Sequence, residues 1–82
     1  VSDEKQQVIT DWYSEYSYSI YSYILLMIHD QQLAEDLTQE TFIKAYKYFA
    51  HFKGESSPKT WLFSIARNTT MTMSENESRS VI

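Results

Sequence analysis

Apolar residues recur along the chain with helical spacing. Ile9, Trp12, Tyr13, Tyr16, Ile20, Tyr23, Ile24 and Met27 fall every three or four positions, which places them on one face of a helix. Ser14, Ser17, Ser19 and Ser22 lie between them. The Tyr and Ser run over 13–23 also alternates like a strand, but the helical spacing continues on both sides of it, so we read a helix over about 8–28. Asp30 then suits the N-cap of a second helix, accepting from amides that have no partner in the first turn. That helix covers about 31–50, with Leu33, Ala34, Leu37, Phe42, Ala45, Tyr46 and Phe49 as its inward stripe. Residues 51–57 read as a loop. Ser57 caps a third helix, where Pro58 occupies the first position and loses no hydrogen bond. Trp61, Leu62, Ile65 and Ala66 face inward over about 58–73, and 74–82 reads as a flexible polar tail. The pattern predicts an all-α bundle of three helices, with a four-helix arrangement as the alternative, forming one domain over 1–73.

Composition agrees. Eighty-two residues allow one small domain. A single Gly and a single Pro leave too few turn residues for an all-β fold. Without Cys there is no disulfide framework, thiolate metal site or Cys nucleophile. No apolar run approaches the ~18 residues of a membrane span, and no signal-peptide start is evident, so the expected compartment is the cytoplasm without direct membrane insertion.

The net charge of −4 is unevenly spread. Residues 1–43 carry Asp3, Glu4, Asp11, Glu15, Asp30, Glu35, Asp36 and Glu40 against Lys5 alone. Residues 44–67 carry Lys44, Lys47, Lys53, Lys59 and Arg67 against Glu55. One part repels phosphate and the other can approach it; segregated but merely solvated charge is the plain alternative. Enzyme chemistry finds no support. His29 and His51 lack metal-ligand spacing. The Glu-x-x-His signature of di-iron bundles would need His where Thr38 and Ile43 stand. One Gly cannot make a phosphate-binding loop. No cofactor is expected, and no small-molecule substrate.

Three blocks carry a resemblance. They are Ala34-Glu35-Asp36-Leu37-Thr38-Gln39-Glu40-Thr41-Phe42, the loop Phe52-Lys53-Gly54-Glu55-Ser56-Ser57, and Lys59-Thr60-Trp61-Leu62-Phe63-Ser64-Ile65-Ala66-Arg67-Asn68. In this order and separation they resemble region 2 of bacterial sigma factors, the extracytoplasmic-function (ECF) group of the sigma-70 family. The resemblance implies a helical, non-enzymatic transcription initiation domain. Such a domain docks on the clamp helices of the largest (beta-prime) subunit of RNA polymerase and reads the promoter minus-ten element as non-template single-stranded DNA. It assigns polymerase contact to Asp36, Gln39, Glu40, Phe42 and Tyr46, with Phe42 and Tyr46 also readable as core. It assigns DNA contact to Phe52, Lys53, Gly54, Glu55, Ser56, Ser57, Lys59, Arg67 and Asn68. A flipped base would stack on Phe52, worth ~1–3 kcal/mol, and pair with the Asn68 amide. Lys53, Lys59 and Arg67 would hold phosphates. Phe52 as a core plug and Asn68 as a helix C-cap are the structural alternatives. Trp61 reads as core. Ser64 and Ile65 stand where primary sigma factors carry paired Trp, which implies weaker melting and stricter promoter choice.

The chain departs from the family at Pro58, where a large apolar residue is usual, and at 72–77, where Thr72 and Met73-Ser74-Glu75-Asn76-Glu77 replace an Asp and a basic run. Nor does the sequence contain the second, minus-thirty-five-reading domain, so it is not expected to initiate transcription alone. An anti-sigma factor is a further implied partner and would hold the chain at the membrane. A degenerate sigma-like module that binds only protein is the second reading, and a generic helical adaptor the third.

Overall fold

The computed structural model describes residues 2–81, with side chains over 4–73. Three α-helices follow one another: α1, Ser2–Ile28; α2, Gln31–Lys47; and α3, Pro58–Val81, with a 3-10 turn, Phe49–His51, after α2. Each helix packs on both others. This is the all-α, three-helix form of the bundle; no fourth α-helix and no strand occurs among the described residues.

The core is thin and central. Ile20 and Ile24 from α1, Ala34, Leu37 and Ala45 from α2, and Leu62 and Ala66 from α3 are almost completely buried. Four threonines join them: Thr38, Thr41, Thr69 and Thr70. Thr38 and Thr41 donate to the carbonyls of Ala34 and Leu37, at 2.7 and 2.8 Å. That local bond lets a hydroxyl be buried without an unmet partner, and the short side chain lets helix axes approach.

The joints follow their sequence signals. Asp30 Oδ1 accepts from the Leu33 N–H at 3.1 Å, and Ser57 Oγ accepts from the Thr60 N–H at 3.2 Å, so both predicted caps form. Two residues take the left-handed conformation: Gly54, φ 75°, in the loop, and His29, φ 58°, where α1 ends. The His29 N–H donates to the Leu25 carbonyl at 2.8 Å, the bond of an αL helix stop.

The boundaries differ from the periodic reading at three points. α1 begins at Ser2 rather than near 8, because good helix formers precede Ile9 with no Gly or Pro to stop them. α2 ends at Lys47 rather than 50. Phe49 lies four residues after Ala45 and so mimics the inward stripe, but Tyr48 leaves helical geometry and the 3-10 turn redirects the Phe49 ring onto Trp12, 5.8 Å between centroids. α3 continues as helical backbone to Val81, past the expected end at 73. The stripe also needs amendment. Tyr13, Met27 and Tyr46 are each about two-fifths exposed.

Candidate functional site

The acidic side is built on one arc of α2. Asp36, Gln39 and Glu40 are all exposed, and their spacing puts them within about half a turn of one another around the helix. Ile43 shares that arc and is 58% exposed, a large apolar group that the charge pattern did not single out. Tyr46 lies at its edge, with the Lys5 ammonium 4.2 Å above its ring centre. Phe42 lies at the floor of this side. It is only 5% exposed, and its ring meets Tyr13 of α1 edge-on at 5.0 Å. The packing gives it the core role and leaves only its edge to line the groove between α1 and α2.

Beside this arc, α1 and α2 leave two open grooves. One, about 400 Å³, is lined by Tyr13, Ser17, Tyr18, Tyr21, Glu35, Thr38 and Gln39. The other, about 580 Å³, is lined by Gln6, Ile9, Tyr13, Gln39, Phe42, Ile43, Tyr46 and Lys47. Tyr13 and Gln39 belong to both. The surface therefore offers carboxylates and amides next to an apolar trough, a combination suited to a partner helix with basic and apolar faces.

The other candidate surface lies along the loop and α3. Lys53, Gly54, Glu55, Ser56 and Ser57 are exposed, as are Lys59, Arg67 and Asn68. Gly54 is at the turn because of its positive φ; a Cβ there would meet nothing within 4 Å, so conformation rather than space requires glycine. Ser57 spends its hydroxyl on the cap, donating to Thr60 Oγ1 at 3.0 Å. Lys59 extends over the Phe63 ring, 5.9 Å from its centre, and Phe63 packs on Tyr23 of α1 at 5.1 Å.

Phe52 and Asn68 do not share the single base site expected of them, and Phe52 takes its core-plug alternative. Phe52 is half-buried in an aromatic cluster, 5.4 Å from Trp12 and 5.2 Å from Trp61, with Trp12 and Trp61 6.1 Å apart. It anchors the loop to α1 and α3. Asn68 lies in the middle of α3, so it is not a C-cap, and its side-chain amide makes no hydrogen bond to any described residue. It opens onto a cleft of about 200 Å³ lined by Lys44, Tyr48, Ile65, Asn68 and Thr69. Phe52 does not line that cleft. The ring that shares it with Asn68 is Tyr48, at the end of α2. Lys44 closes one side, its ammonium 3.2 Å from Thr69 Oγ1 and 3.5 Å from Glu40 Oε2. Sequence spacing puts Lys44 and Tyr48 on one face of α2, and Ile65, Asn68 and Thr69 on one face of α3. It does not say that the two faces meet.

No group of three or more His, Asp or Glu residues that could hold a metal ion occurs among the described residues, and no helix among them is long and apolar enough to cross a membrane. Comparison with known proteins gives a consistent relationship. The family model described as Sigma-70 region 2 matches residues 12–80. The chain is 43% identical over 61 residues to the RNA polymerase sigma factor YlaC of Bacillus subtilis, covering 74% of this chain and 35% of that protein. It is 46% identical over 55 residues to the RNA polymerase sigma-H factor of Pseudomonas aeruginosa, covering 67% and 28%. It is 45% identical over 60 residues to the ECF RNA polymerase sigma factor SigM of Bacillus subtilis, covering 73% and 36%. The chain thus spans about a third of the length of these curated relatives. No solved structure gives a significant match.

Proposed function

The chain belongs to the Sigma-70 region 2 family, and from that premise we propose that it is a transcription-initiation module that docks on RNA polymerase through α2 and captures one unpaired base of promoter DNA between α2 and α3. The docking surface is Asp36, Gln39 and Glu40 with Tyr46 and Ile43 beside them, facing the clamp helices of the largest subunit. The base enters the cleft of Tyr48, Ile65 and Asn68. Its faces meet the Tyr48 ring and the Ile65 side chain, and its edge meets the Asn68 amide, which both donates and accepts. Lys53 and Arg67 hold flanking phosphates, and Lys59 does so from over Phe63. Ser56 and Glu55 flank the Gly54 turn, whose backbone amides approach the strand. Phe52 contributes indirectly, by fixing the loop.

One observation carries this reading: Asn68, a polar side chain with no described internal partner, opens into a small cleft beside an aromatic ring, while Asp36 and Gln39 stand away from it on α2 and Glu40 is paired with Lys44 at its wall. The Lys44 ammonium offsets the one carboxylate that a phosphate-bearing strand would meet there. The functional compartment is then the cytoplasm, and an anti-sigma factor competing for the α1 and α2 grooves would hold the module inactive.

The test titrates the chain separately with a polymerase clamp-helix peptide and with single-stranded minus-ten oligonucleotides. Asp36→Asn should weaken the peptide complex and leave the oligonucleotide complex unchanged. Asn68→Ala should do the reverse and flatten preference at one base. Peptide binding with no oligonucleotide binding under any condition selects the protein-only module instead, for which the acidic stretch at 75–77 is the favouring feature.

A further inference from the structure

Glu35 and Tyr18 belong to neither the docking arc nor the DNA surface, yet they meet in one place. The groove of about 400 Å³ between α1 and α2 brings Tyr13, Tyr18 and Tyr21 of one helix against Glu35, Thr38 and Gln39 of the other. Its chemistry is one-sided. No Lys, Arg or His lines it. Glu35 is exposed, forms no ion pair among the described residues, and as a carboxylate only accepts. Thr38 donates its hydroxyl proton to the Ala34 carbonyl at 2.7 Å, so what it has left is acceptor capacity. Tyr18 is 77% exposed, and its ring stands 6.4 Å from that of Tyr21, inclined by 35°.

We infer that this groove is an arginine anchor, taking the guanidinium of one arginine on the polymerase helix that docks along α2. The inference rests on the docking reading above, and Gln39, which belongs to both the arc and the groove, makes the two surfaces continuous. A guanidinium is planar, always charged, and only donates. The groove supplies a counterpart to each property. Exposed tyrosine rings suit a flat cation, the Glu35 carboxylate answers its charge, and hydroxyl and amide oxygens accept from the remaining N–H groups. A lysine ammonium meets the charge, but it is compact and strongly hydrated and cannot lie flat on a ring. A phosphate is repelled by Glu35 and finds no cation on the groove walls. The wider charge agrees: residues 1–43 carry eight acidic groups against one lysine.

The test titrates the chain with a polymerase clamp-helix peptide in which each arginine is replaced in turn by citrulline, its uncharged isostere, and by lysine. One position should lose about tenfold in affinity as citrulline and about threefold as lysine. Binding of the unaltered peptide should shift the Tyr18 and Tyr21 ring signals in NMR spectra. Glu35→Gln should weaken the unaltered peptide about fivefold, and Tyr18→Leu, which keeps apolar bulk without the ring, about threefold. Both side chains are exposed, so thermal melting should stay the same. In the Glu35→Gln chain the citrulline loss at the responsive position should shrink to about twofold, the non-additivity of two groups in contact. Losses that add at every arginine, or lysine equal to arginine at the responsive position, overturn the inference. The two layers separate cleanly. If Asp36→Asn weakens the peptide while Glu35→Gln and Tyr18→Leu do not, the anchor falls and the docking reading stands. If the unaltered chain binds no peptide, the docking reading falls and the inference with it.

Discussion

The Trp12 indole meets the Phe52 ring at 82°, with 5.4 Å between centroids. An α1 side chain therefore holds the loop that precedes α3, some forty residues later in the chain. Edge-to-face pairs of this kind contribute ~0.5–1.5 kcal/mol beyond the area they bury, and Trp12 makes two, with Phe52 and Trp61, besides a tilted contact with Phe49. The loop bearing Lys53 and Gly54 hangs from this cluster.

Trp12→Ala should destabilise the fold by about 2–4 kcal/mol, toward the lower part of the range for large aromatic truncations because the indole is half-buried. Urea unfolding measures it. Amide exchange over 52–57 should accelerate more than over 33–45, since the loop loses its anchor while the α2 core keeps Leu37 and Phe42.

His29 is the one described non-glycine residue with positive φ. A β-carbon there costs roughly 1–2 kcal/mol, and glycine removes the cost while loosening the unfolded chain. His29→Gly should therefore raise stability by about 1 kcal/mol in urea melts, with polymerase-peptide and oligonucleotide affinities unchanged. A fall in stability would mean that the imidazole makes an offsetting contact.

Thr70 Oγ1 is buried with no hydrogen-bond partner among the described residues. Leaving a buried hydroxyl unpaired costs ~1–3 kcal/mol. Thr70→Val keeps the shape and removes the hydroxyl, so thermal melting should show a gain of about 1 kcal/mol.

Lys53→Ala should weaken oligonucleotide binding to a similar degree for every sequence. It should also lower the slope of log affinity against log salt by about one phosphate contact, ~0.7 for a single strand. Sequence-selective loss at one base would instead assign Lys53 to base contact. Stability should stay within about 0.5 kcal/mol, as for exposed side chains generally.

The chain's spacing and punctuation were enough to determine its class and its joints. Apolar residues at three- and four-residue intervals require helices, because only that geometry gathers Ile20, Ile24 and Leu37 onto buried faces. Asp30, Ser57 and Pro58 mark helix starts because their side chains and missing amide solve the same local hydrogen-bonding problem in any context. The ordered blocks over 34–68 were also sufficient to point to the family. Contacts between helices were not legible, because periodicity gives the face of each helix and not what lies opposite. Phe42 and Tyr46 sit one turn apart on α2, yet only the packing of Tyr13 decides that Phe42 is core while Tyr46 remains half in solvent. Phe52 and Asn68 both lie in the blocks over 34–68, yet the indole of Trp12 draws one ring into a structural cluster. Asn68 is left facing Tyr48 and Lys44 across the seam between α2 and α3. Local chemistry is written residue by residue; the choice of neighbour depends on which surfaces exclude water from each other, and that exists only once the helices have packed.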